Sequence, residues 1–154
     1  MNKESQKRVE ICKKLCKKLK KELKDNLISF IIFGSTARGT AKKESDIDIL
    51  LIVKDKTSAE EKYLKEKIKL PESYLFSTII TTEKNLKENP YILLDITQEH
   101  IILYDFQNKG KNLILKLKEK LKQLGAKRYW LDKNRWYWDL YPDWKPGDKI
   151  ELTL

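Results

Sequence analysis

Residues 30–53 read Phe-Ile-Ile-Phe-Gly-Ser-Thr-Ala-Arg-Gly-Thr-Ala-Lys-Lys-Glu-Ser-Asp-Ile-Asp-Ile-Leu-Leu-Ile-Val. Two apolar runs flank a polar connection that contains glycine. The first run, Leu27 to Phe33, predicts a buried strand that stops at Gly34-Ser35. The second begins at Asp46-Ile47-Asp48 and predicts a strand over about 47–54. Side chains alternate faces along a strand, so Asp46 and Asp48 point the same way. Two carboxylates that close repel each other unless a cation lies between them. The pair therefore predicts a site for a hard divalent cation, Mg²⁺ or Mn²⁺, beside a triphosphate.

Gly34-Ser35 supplies the other half of such a site. Glycine adopts backbone angles that other residues avoid, and it lets phosphate oxygens approach the main chain. The Ser35 hydroxyl can donate to phosphate. A helix or turn opening within 36–43 would add free amides to the cradle. Arg38 then lies within reach of the same anion.

The remaining chain bounds the answer. A length of 154 residues, 40% hydrophobic and 36% charged, fits one globular domain with a real core. No apolar run reaches membrane-spanning length, and the lysine-rich N-terminus lacks the apolar centre of a signal peptide, so the cytoplasm is the expected location. The net charge of +10 is uneven: residues 1–25 carry ten basic and four acidic groups, and residues 111–128 carry seven and one. Both stretches are expected to be helices. Their lysines form either a surface for nucleic acid, nucleotide phosphates or an acidic partner, or two solvated helix faces. The two cysteines, Cys12 and Cys16, share one helical face and read as small core residues.

Taken in order, Val9, Cys12, Leu15, Cys16, Leu19 and Leu23 predict an amphipathic helix over 4–24. A second helix is expected at 58–69, broken by Pro71, and a third strand at 74–81. A short helix starts at Thr82-Glu83, and 91–97 is read as a further helix. A fourth strand spans 100–104, then a polar loop at 105–110 and a helix at 111–124 closed by Gly125. Residues 128–140 predict a hairpin turning at Asp132-Lys133-Asn134. Seven aromatics lie within 129–144. They read as a satellite core pinning the hairpin, or else as a stacking platform for a base.

Gly-Ser, ten residues of spacer and Asp-x-Asp on the next strand resemble the signature of the nucleotidyltransferase superfamily that includes DNA polymerase beta. With Ala37-Arg38-Gly39, the spacing is similar to that of the minimal prokaryotic members. The resemblance covers about residues 5–105 and implies an α/β (α+β) fold. Its core is a mixed sheet of about four strands with helices on one side. We expect a nucleotidyltransferase domain at 1–126, with an aromatic hairpin and tail, 127–154, packed on it. A similar hairpin occurs on some archaeal-type relatives.

The resemblance also implies transfer of a nucleoside monophosphate, AMP by preference, from an NTP to a protein, RNA or small-molecule acceptor, with release of pyrophosphate. Asp46 and Asp48 would be catalytic and would bind Mg²⁺ (or Mn²⁺). Gly34, Ser35 and Arg38 would hold the phosphates of ATP, unless Arg38 is taken up by Glu44. Minimal members often pair with a small helical partner of the HEPN class. Active relatives usually carry a third carboxylate on the strand after the next helix. Here that strand has no acid, and the position falls at Phe76 or Ser77. Asp95, Glu99 and Asp105 are poor substitutes, and His100 reads as a surface imidazole. The alternatives are a nucleotide- and metal-binding module with weakened catalysis, paired with a HEPN-like partner, or a basic nucleic-acid-binding protein.

Overall fold

β1 (Leu27–Phe33) is the most enclosed element of the chain: all seven of its residues are buried. The computed structural model describes all residues from Met1 to Leu154. β1 lies in a mixed four-stranded sheet with β2 (Ile47–Val53), β3 (Phe76–Thr82) and β4 (Ile101–Asp105), in the order β3-β2-β1-β4. It pairs antiparallel with β2 and β4, whereas β2 and β3 are parallel. The parallel pair needs a crossover, which α3 (Lys56–Lys67) provides.

Helices cover both faces of the sheet, not one as expected. On one face α1 (Lys3–Leu23) and α3 set Cys12, Leu15, Leu19, Ala59 and Tyr63 against Phe30, Ile32, Ile49 and Leu51. On the other, α4 (Glu83–Glu88), α5 (Leu93–Ile96) and α6 (Lys109–Leu124) set Leu86, Leu93, Ile96 and Leu117 against Ile31, Leu50 and Ile52. The cause is in the strands themselves. β1 and most of β2 have no polar alternation, and such strands are stable only with both faces covered.

Several boundaries move for identifiable reasons. α3 starts at Lys56 because Asp55 caps it, accepting a hydrogen bond from the Thr57 amide at 3.2 Å. The third strand starts at Phe76, just after the Leu75 carbonyl accepts from the Ile47 amide at 2.8 Å. α6 starts at Lys109, inside the expected loop, because the Asp105 carboxylate accepts the amides of Gly110 and Lys111 at 2.8 and 2.9 Å. Cys12 and Cys16 are buried free thiols, as their place in the stripe implied. Burial pushes them up to about 12 and about 11, so neither is a thiolate at neutral pH. No helix is long and apolar enough to cross a membrane.

β5 (Lys127–Trp130) and β6 (Trp136–Asp139) form a separate antiparallel hairpin. Its register pairs Tyr129 with Tyr137 and Trp130 with Trp136. The tyrosine rings stack at 5.3 Å and stay exposed. The opposite face carries Arg128 and Trp136 toward the domain, with Trp130 beside them still exposed: Arg128 makes two hydrogen bonds to Glu99, and the Trp136 indole donates to Asp95. The tail then turns back, and Leu152 is buried against the α4–α6 layer.

Candidate active site

The site forms where the chain leaves β1 and returns along β2. Phe33 pairs with Asp48 at the end of β1, and the chain turns there so that the next residue lies against the Asp48 side chain. That residue is Gly34, in the left-handed region at φ 67°. A Cβ there would sit 2.0 Å from Asp48 Oδ2. Glycine is thus required twice, for the backbone angle and for the carboxylate's space. Gly34→Ala is expected to cost about 1–2 kcal/mol from the left-handed backbone alone and to force the Asp48 carboxylate aside. Urea denaturation checks the first effect, and nucleotide titration the second.

α2 (Gly34–Arg38) opens directly at this corner, earlier than the 36–43 window suggested. The first amides of a helix have no partners within it, and here they start beside Asp48. Asp46 is exposed at the mouth and Asp48 is half-buried. The Asp48 carboxyl is raised above the usual range, first by burial and then by the Asp46 charge. Arg38 and the Ser77 hydroxyl pull it back down. The electrostatic conflict expected from the Asp-x-Asp spacing is therefore present in the fold.

In the parallel register Ser77 lies opposite Asp48, and Phe76 pairs with Ile47 and packs toward α1 and α3. The position facing the pair is therefore Ser77. No three His, Cys, Asp or Glu side chains gather closely enough to hold a metal ion among themselves. The later acids have other partners: Asp95 the Trp136 indole, Glu99 the Arg128 guanidinium, and Asp105 the amides opening α6. His100 is half-buried, not a surface imidazole, because its Nδ1 lies 2.7 Å from the Ile96 carbonyl oxygen. Two carboxylates converging on a small-residue corner still suit a hard divalent ion whose other ligands are water and phosphate oxygens. Arg38 forms no ion pair with Glu44; its guanidinium carbon lies 5.0 Å from the centre of the Trp136 ring.

One residue central to the site's shape was hidden in the sequence. Arg8 is fully buried, and its guanidinium donates to the carbonyls of Ser45, Lys42 and Lys43 and to the Glu4 carboxylate. Nearby, the Ala41 amide donates to Ser5 Oγ and Asn2 Nδ2 donates to the Ala41 carbonyl, both at 3.0 Å. The start of α1 thus fastens the connection that delivers Asp46. The available signal was periodicity: Ser5 and Arg8 extend the Cys12-Leu15-Leu19 stripe backwards.

A Gly-Ser corner against an Asp-x-Asp strand, on this sheet, defines a nucleotidyltransferase type of protein. The chain belongs to the nucleotidyltransferase domain family, whose model matches residues 12–142, further than the 5–105 expected and into the hairpin. It is 31% identical over 134 residues to MJ1305, a candidate protein adenylyltransferase of Methanocaldococcus jannaschii, spanning 82% of this chain and 85% of that protein. A second candidate protein adenylyltransferase of the same organism, MJ0141, is 39% identical over 54 residues, 35% of this chain and 54% of that protein. Among solved structures, a mutant MntA-HpeT toxin-antitoxin superposes with a TM-score of 0.54 at 16% identity, covering 73% of this chain and 88% of that one. A chain from the Shewanella oneidensis complex of tri-AMPylated HEPN toxin with MNT antitoxin gives 0.50 at 16% identity, covering 75% and 87%. At these identities the structures show the shared fold.

Proposed function

We propose that this enzyme transfers AMP from ATP to a protein hydroxyl, with Asp46 and Asp48 holding Mg²⁺ (or Mn²⁺) and Gly34, Ser35 and Arg38 holding the phosphates. The observation that carries the reading is the Asp48 carboxylate, raised by burial and by Asp46 and set in the space that Gly34 leaves free. A divalent ion bound there would neutralise triphosphate charge and act as a Lewis acid. The Ser35 hydroxyl and the α2 amides donate to phosphate oxygens, and Arg38 offsets the charge that builds on the leaving group. The acceptor oxygen bonds to the α-phosphorus as the bond to the bridging oxygen breaks. Pyrophosphate departs and the acceptor proton is lost to water. Residues 1–126 are read as the transferase domain, with the aromatic hairpin and tail, 127–154, packed on it.

The choice of a protein acceptor is supported by the name of the 31% identical relative. A small helical protein of the HEPN class is the first acceptor to test, given the complexes to which the matched folds belong. Incubation with α-labelled ATP, Mg²⁺ and such a protein is expected to label the acceptor and release pyrophosphate. A second reading has its own observation: Ser77, not an acid, faces Asp48. On that reading the chain binds nucleotide and metal with weakened catalysis. Nucleotide would then raise the melting temperature while no acceptor is labelled.

A further inference from the structure

We propose that the C-terminal hairpin is a working part of the site, with Trp136 a positioning residue that holds the Arg38 guanidinium at the edge of the Asp48 pocket. The inference rests on the nucleotidyltransferase reading above. Arg38 ends a five-residue helix, where a long side chain has many rotamers to lose on binding an anion. Its packing partner is Trp136, whose ring centre lies 5.0 Å from the guanidinium carbon. Trp136 is itself fixed from several sides. Its indole N–H donates to Asp95 at 2.8 Å, and the Trp130 ring lies 5.0 Å away, tilted by 56°. The Arg128 guanidinium lies 4.7 Å from the Trp130 ring and 5.5 Å from Trp136. Arg128 is held in turn by two hydrogen bonds to Glu99, at 3.1 and 3.0 Å.

A connected set of fixed groups therefore runs from Asp95 and Glu99, through the tryptophans, to Arg38. Arg38 also closes the short helix whose first residue, Gly34, lies against the Asp48 carboxylate, so its charge is carried on the wall of the same pocket. An arginine fixed before the nucleotide arrives loses less freedom on binding phosphate. Trp136 thus acts on the triphosphate through Arg38, without touching it.

The test compares Trp136→Leu, Trp136→Phe, Arg38→Ala and the Arg38→Ala/Trp136→Leu double variant. Binding of a non-hydrolysable ATP analogue with Mg²⁺ is titrated after circular dichroism confirms folding. Trp136→Leu is expected to weaken binding about three- to tenfold, and Trp136→Phe to restore most of it. The double variant is expected to bind no more weakly than Arg38→Ala alone. Equal binding by wild type and Trp136→Leu, or losses that simply add, would overturn the proposal while leaving the nucleotide site intact. No binding by wild type would instead remove the functional reading and this inference with it. A second readout needs no nucleotide: the Arg38 side-chain resonances should show a ring-current shift that Trp136→Leu abolishes. Unshifted resonances in wild type would show the guanidinium is not held. If Trp136→Leu fails to fold, Trp136→Phe and Asp95→Ala, each of which breaks the indole–Asp95 bond, are compared with wild type instead. Both are expected to weaken binding by a similar factor, smaller than about threefold, while unchanged binding in both overturns the proposal.

Discussion

Asp48→Asn is expected to abolish transfer and, in the same protein, to raise the melting temperature measured without metal. Removing a carboxylate that would hold the ion forfeits several kcal/mol of transition-state stabilisation, roughly a thousandfold or more in rate. The stability gain follows from the raised Asp48 carboxyl. Its folded value lies above its unfolded one, so the folded state binds that proton more tightly. Stability is greatest below the unfolded value and is lost as pH rises through the folded value. At neutral pH the ionised Asp48, half-buried and beside Asp46, is a standing cost. The amide removes that cost. Mg²⁺ should reverse the order by stabilising wild type and leaving Asp48→Asn unchanged. The acid limb of the kcat/KM profile, taken at sub-saturating Mg²⁺ so that it reports the metal-free site, should lie above the ordinary carboxylate range, since transfer needs Asp48 ionised. Thermal melts with and without Mg²⁺, together with the rate profile, check all three. A site that trades stability for charge is common where function requires the charge.

Arg8→Ala is expected to be the most destabilising single change in the chain outside the apolar core. Removing a fully buried guanidinium leaves a cavity and takes the charge-assisted hydrogen bonds from its partners, together about 3–5 kcal/mol. Here those partners are the Glu4 carboxylate and the carbonyls of Lys42, Lys43 and Ser45. Arg8→Lys should recover little. An ammonium on a single stem cannot reproduce the planar fork that serves the carbonyls and the carboxylate together. The midpoint of urea denaturation should fall in both variants. Whatever folded protein remains should bind Mg²⁺ poorly, because the 42–45 carbonyls that set the path into Asp46 have lost their anchor. A midpoint within experimental error of wild type would show that the Arg8 network is dispensable.

The part of the site that was legible is the part whose meaning is local. Gly34, Asp46 and Asp48 are tied together by one strand's alternation and one reversal of the chain, and both show in consecutive residues. Ser77 was legible only as one of two positions, because its partner depends on how the parallel strand registers on β2. The two-sided helical cover was implied by Leu27–Phe33, a strand without a polar face. Arg8 reads like the surface lysines because a buried cation looks like its exposed neighbours unless the helical stripe is followed back past Val9. Trp136 was legible as part of a hairpin but not as the partner of Arg38. Which face of a two-stranded ribbon meets the domain is settled by Glu99 and Asp95, about 30 to 40 positions away in the chain.

The central claim is most directly tested by Mn²⁺ titration with electron paramagnetic resonance, in the presence of a non-hydrolysable ATP analogue. The account predicts a nucleotide-dependent protein-bound Mn²⁺ signal in wild type that is lost in Asp46→Asn and in Asp48→Asn. An unchanged signal in both variants, or none in a folded wild-type protein, would contradict it.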